Sequence, residues 1–152
     1  GTSLLPNSTI NMEALLAQTA TTYSYSTLTE MKGETIRVIL EDVADNIFNP
    51  DPYYQQGGDM VRVGGMSYAI DPTKAIGSRI SEMRMGETLM DPNKVYKVAG
   101  WAPVTEGATG EPIWDLVARW LKDKKTVSIR ALSVPRIKGV DHNAGVTDRC
   151  DV

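Results

Sequence analysis

The chain has 152 residues, 41% of them hydrophobic, and a formal net charge of −3. That length fits one domain able to bury about two thirds of its unfolded surface. The interspersed charges leave no basic footprint for nucleic acid or an anionic membrane, and no stretch approaches the ~20 apolar residues of a membrane span. The N-terminus carries no signal-peptide pattern, and a start at Gly1-Thr2-Ser3 without Met reads as a chain cut from something longer. Cys150 is the only cysteine and His142 the only histidine. No internal disulfide is possible, and Zn, Mn or Fe sites draw on several imidazole or thiolate ligands, so no metal ligands or cofactor are expected within this chain.

In chain order, Thr9-Ile10-Asn11 offers N-cap residues to a short helix over MEALLAQTA, with Leu15 and Leu16 on one side. Tyr23 to Glu30 alternates polar and apolar residues and reads as a strand, broken at Lys32-Gly33. Glu34 to Phe48 is the clearest helix. Ile36, Ile39, Leu40, Val43 and Ile47 form its apolar stripe, Arg37 and Glu41 can pair one turn apart, and Glu41, Asp42 and Asp45 read as a solvated face. Asn49-Pro50 stops it. Met60 to Val63 and Met66 to Ile70 look like strands around Gly64-Gly65, followed by β-like stretches at Ser78 to Met85 and Lys94 to Trp101. A helix over Glu111 to Asp123, opened by Pro112, presents Ile113, Leu116, Val117, Trp120 and Leu121 inward, and Trp114 also reads as core. Lys125 to Leu132 reads as a closing strand. The expected fold is α+β (mixed α/β): one compact domain over 1–134 with a mixed sheet packed by about three helices, then an irregular tail over 135–152.

Signatures of catalysis are scarce: neither GxSxG nor GxxxxGK[ST] appears. The chemically richest stretch is Asn49 to Gly65, NPDPYYQQGGDMVRVGG. Pro and Gly make it poor helix and poor strand, and a long polar loop with aromatics is either a binding loop or a surface crossover. Arg62 suits an anion, because a guanidinium fork binds sulfate, phosphate or carboxylate oxygens with paired hydrogen bonds. Gly57, Gly58, Gly64 and Gly65 allow close backbone approach to a ligand. Asp59 either orients Arg62, caps a turn or simply pairs with it. Tyr53 and Tyr54 can wall a pocket, and Trp101, at the end of VAGWAP, either stacks on a ligand or packs in the core.

The run MKGETIRVILEDVADNIFNPDPYYQQGGDMVRVGG, with DPTKAIGSRISEMR and VYKVAGWAP, resembles the C-terminal domain of the SoxB thiosulfohydrolases of bacterial sulfur oxidation, in the 5′-nucleotidase family. The likeness runs from about Leu5 to Leu132 and includes Thr9-Ile10 and the helix beginning near Gly33 to Glu41. It implies a partner domain on the N-terminal side, metallophosphoesterase-like and holding two manganese ions, over which this domain closes. It also implies a periplasmic enzyme hydrolysing a cysteine S-sulfonate on the SoxYZ carrier, with a metal-bound hydroxide attacking sulfur while positive charge stabilises the sulfonate oxygens.

In that setting this chain alone is expected to be inactive. Arg62 would stabilise the sulfonate, Asp59 would orient it, and Gly64 and Gly65 would leave room for a slender peptide arm. Trp101 with Tyr53 or Tyr54 would line the channel. Two alternatives stand beside this: a docking module for the carrier with no part in the chemistry, and a nucleotide-binding domain of the 5′-nucleotidase type. In the nucleotidase relatives aromatics stack on a base; Arg and Gly in their place here argue against a nucleotide.

Overall fold

A computed structural model describes residues 3–20, 25–100, 110–128 and 133–143. Its elements are α1 (Met12–Thr19), β1 (Thr27–Lys32), α2 (Gly33–Phe48), β2 (Ser67–Ile70), β3 (Ile80–Met85), β4 (Thr88–Leu89), β5 (Val95–Gly100), α3 (Ile113–Lys124) and β6 (Arg136–Ile137), with one 3₁₀ turn over Pro52–Tyr54. Helices and sheets are mixed as the sequence leads one to expect. The chain falls into two compact units, Gly1–Glu30 with Lys97–Arg130 and Met31–Tyr96 with Ala131–Val152. The paired strands β1 and β5 are where the chain passes from one to the other.

In the first unit, the Asn11 side chain caps α1 by accepting from the Ala14 N–H at 2.9 Å. Ala14 and Leu15 are buried, whereas Leu16 is exposed. Helix α3 packs on α1 but buries none of its residues fully. Trp120 is 43% exposed rather than core, and Leu116 is exposed as well, because packing on α1 covers only one side of the apolar face of α3 among the described residues. Pro112 is the N-cap of α3, and Glu111 clamps the helix through a two-pronged pair with Arg119 at 2.5 and 2.6 Å. Lys125, at φ +59°, closes α3. The expected strand over Lys125 to Leu132 is not formed at 125–128, and its remainder lies outside the described residues.

The second unit holds most of the buried residues: Ile36, Leu40 and Ala44 from α2 against Tyr68, Ala69, Ile70, Ile80 and Met83 from the sheet. Sheet order is β4-β3-β2-β6. Strands β2 and β3 are antiparallel, Ser67 facing Arg84 and Ala69 facing Ser81, so β3 carries one extra residue across that interval. This bulge explains why Glu82 adopts φ +53°. Strand β6 adds parallel to β2, Ala69 facing Arg136. The region after Pro135 therefore includes a short strand, where composition reads as irregular: the open edge of β2 supplies partners, Lys138 N–H donates to the Ile70 carbonyl at 2.8 Å, and Glu82 pairs with both Arg136 and Lys138. Met60 to Val63 form no strand, because both edges of β2 are already taken by β3 and β6.

Candidate functional site

The buried face of α2 is Gly33, Ile36, Leu40, Glu41 and Ala44, turned from the expected stripe so that Ile39, Val43 and Ile47 are only half-buried. Glu41 is the consequence. Expected on a solvated face, it is 3% exposed, and its two oxygens accept from the Ile80 N–H at 2.7 Å and the Gly77 N–H at 2.8 Å. The Ile80 amide opens β3 and the Gly77 amide lies in the turn before it, so the carboxylate does for the strand entry what a neighbouring backbone would otherwise do. Asp45 is engaged as well. It pairs at 2.7 Å with Arg79, which is 1% exposed, and the bonds from Arg79 and then Asn49 hold its carboxyl below the usual carboxylate range. Of the three acids, only Asp42 is exposed.

From the C-terminus of α2 the chain enters the stretch Asn49 to Gly65. Asn49 is the C-cap, and its side chain donates to Asp45 at 2.8 Å. Asp51 caps the 3₁₀ turn by accepting from the Tyr53 N–H at 3.0 Å. The Gly57 N–H returns to the Asn46 carbonyl at 2.9 Å, and φ values of +80° at Gly57 and +98° at Gly58 let the chain reverse there. Beyond this point the segment leaves the framework.

The sequence-predicted residues are distributed along that segment. Tyr53 is 96% and Tyr54 67% exposed, so neither walls a pocket among the described residues. Asp59, Arg62, Gly64 and Gly65 are all exposed, and a Cβ placed on either glycine would meet nothing within 4 Å. Asp59 and Arg62 do not pair; neither has a hydrogen-bond or ion-pair partner among the described residues. Trp101 lies outside the described residues. The structure thus gathers Tyr53, Tyr54, Asp59, Arg62, Gly64 and Gly65 on one exposed loop without enclosing them. Two open grooves elsewhere, about 300 Å³ beside Arg37 and Met83 and about 150 Å³ beside Arg84 and Arg136, include none of them.

What sequence reasoning missed is the support under the loop: Arg79, Glu41, Asp45 and Asn49. One signal was present, the absence of any basic residue in the last turn of α2, which leaves its C-terminal carbonyls seeking a cation from elsewhere.

The family model for the 5′-nucleotidase C-terminal domain matches residues 4–119. The chain belongs to that family. Among solved structures it is similar to the sulfate thiohydrolase SoxB of Thermus thermophilus in complex with glycerol, at 33% identity and a TM-score of 0.77 over 94% of this chain. A putative 5′-nucleotidase from Staphylococcus aureus and a 5′-nucleotidase precursor from Thermus thermophilus share the fold at TM-score 0.58, with 15% and 17% identity over 84% of this chain. The chain spans 28%, 30% and 28% of these three proteins respectively, so each has a large part with no counterpart here. No curated protein matches. The SoxB resemblance read from PYYQQGGDMVRVGG and its flanks therefore has a structural counterpart within the 5′-nucleotidase C-terminal domain family.

Proposed function

We propose that this chain is the substrate-binding C-terminal domain of a SoxB-type thiosulfohydrolase, acting with an N-terminal domain on a cysteine S-sulfonate carried by SoxYZ. The observation that carries the proposal is the likeness to SoxB over 94% of the chain. The overall reaction is RS–SO3⁻ + H2O → RSH + HSO4⁻: water oxygen bonds to the sulfonate sulfur, the S–S bond breaks, and the thiol leaves with a proton. In this reading the exposed guanidinium of Arg62, which has no partner among the described residues, binds the sulfonate oxygens through paired charge-assisted hydrogen bonds. A flat loop serves this purpose because a second surface completes the site.

The manganese ions of such an enzyme do not fit the described residues of this chain. Among the described residues no group of three or more His, Cys, Asp or Glu is placed to hold a metal ion, so they are assigned to the N-terminal domain. A periplasmic setting follows from the same reading. No helix among the described residues is long and apolar enough to cross a membrane.

In the full-length enzyme, Arg62→Ala should lower sulfate release from S-sulfonated SoxYZ by roughly a hundredfold, the scale of losing one oxyanion-binding donor. Metal content and melting temperature should stay at wild-type values. Near-normal turnover would remove Arg62 from the mechanism. The exposure of Tyr53 and Tyr54 favours a second reading, in which the loop docks the carrier without contacting the sulfonate. In that case Tyr53→Ala would raise the Kd for unmodified SoxYZ, while Arg62→Ala would leave turnover at saturating carrier intact.

A further inference from the structure

We propose that Arg79 is a positioning residue. Through Asp45, Asn49 and Asp51 it fixes the first part of the loop, which carries Tyr53 and leads on to Arg62, and so sets how well the carrier-bound substrate is held. The inference rests on the reading of that loop as substrate-facing.

The connection is continuous. Arg79 Nη1 donates to Asp45 Oδ1 at 2.7 Å, and Asn49 Nδ2 donates to the other Asp45 oxygen at 2.8 Å. Asp51 N–H donates to Asn49 Oδ1 at 3.0 Å, and Tyr53 N–H to Asp51 Oδ1 at 3.0 Å. Gln55 Nε2 closes back on the Asn49 carbonyl at 2.6 Å. The two inner links join side chain to side chain and the outer ones side chain to backbone, so the geometry of one step constrains the next. Exposure rises along the same path: Arg79 is 1% exposed and Tyr53 96%.

Arg79 is suited to the inner end. Its Nη2 donates to the Phe48 carbonyl at 3.2 Å, one of the last-turn carbonyls of α2 that have no partner within the helix. Since α2 has no basic residue in its last turn and carries Asp45 there, Arg79 supplies the cation that this helix end lacks. Arg79 itself is held by the backbone pairing of Asp71 N–H with its own carbonyl at 2.9 Å, which ties it to the end of β2. A guanidinium can bridge Asp45 and Phe48 at once; an ammonium, a point donor on a flexible stem, holds the pair less well.

The test uses the full-length enzyme with Arg79→Lys and Asn49→Ala, the second cutting the path outside the core. Hydrogen exchange of the peptide spanning 49–57 should quicken on the order of tenfold in both, as for loss of one bond to a charged group. KM for S-sulfonated SoxYZ should rise by a similar factor while kcat changes less than twofold, and Asn49→Ala should melt close to wild type. Unchanged exchange in Asn49→Ala overturns the path. Faster exchange with wild-type KM overturns its functional half, as does a fall in kcat at wild-type KM. Arg62→Ala, measured alongside, shows separately whether the substrate-facing reading of the loop survives.

Discussion

At the scale of single residues, Glu41 is the most consequential side chain in the second unit. A carboxylate that is 3% exposed, with the Arg37 guanidinium 3.8 Å from one oxygen, satisfies two backbone N–H groups that have no other partner among the described residues. Replacing it with Ala leaves the buried Ile80 amide unpaired, at a cost of about 1–3 kcal/mol, while water can take up the amide of exposed Gly77. Gln keeps one acceptor oxygen but turns an NH2 toward the second amide, so Glu41→Gln should lose about half as much. Urea unfolding monitored by circular dichroism would show this as a lowered midpoint at unchanged slope. A midpoint within error of wild type for Glu41→Ala would mean that the strand opening is satisfied some other way.

At the scale of elements, the start of α2 shows what a close backbone approach demands. Lys32 provides no side-chain cap; instead the Gly33 and Glu34 N–H groups donate to the Lys94 and Pro92 carbonyls at 3.0 and 2.9 Å. The turn that supplies them is itself fixed, since Asp91 accepts from the Asn93 N–H and its own N–H donates to the Tyr96 hydroxyl, both at 2.8 Å. A Cβ on Gly33 would stand 2.4 Å from the Asp91 carbonyl oxygen, which cannot move without pulling this turn away. Gly33→Ala should therefore cost roughly 2–3 kcal/mol, although Ala is the better helix former, and a melting temperature at or above wild type would refute the account. Sequence marked Gly33 as a break between strand and helix; the break is real, but its cause is the Asp91 carbonyl, far downstream in the chain. The 3.6-residue pattern located α2, and a cluster of N-cap candidates that includes Asn11 located the start of α1, because both signals are local. Strand β6 was illegible, since two residues acquire strand geometry only from the free edge of β2.

At the scale of the whole molecule, the family and the exposed loop were legible in the sequence because both reside in a contiguous, unusual run of residues. The support under the loop was not, because Arg79 and Asp45 are 34 positions apart and each looks like an ordinary surface charge. Such pairs nonetheless govern how the molecule responds to acid. Among the described residues, hydrogen bonds hold four carboxyls below their ordinary values: Glu34 by Arg37, Asp45 by Arg79 and then Asn49, Asp71 by Thr73, and Glu111 by Arg119. A carboxyl depressed on folding stabilises the native state above its unfolded pKa, and that contribution is lost as pH falls through the folded value. With ordinary values of 4.5 for Glu and 3.8 for Asp, thermal stability should be level above about pH 5 and decline steadily below about pH 4.5. The arginine partners stay charged throughout, so nothing on their side offsets the loss. Salt separates the contributions. Glu111–Arg119 and Glu34–Arg37 are open to solvent, whereas Arg79 is 1% exposed against Asp45, so added NaCl should weaken the first two and spare the third. Asp45→Asn should then lower the neutral plateau and flatten the acid slope that persists in high salt. A high-salt slope unaffected by Asp45→Asn would show that the acid response arises elsewhere.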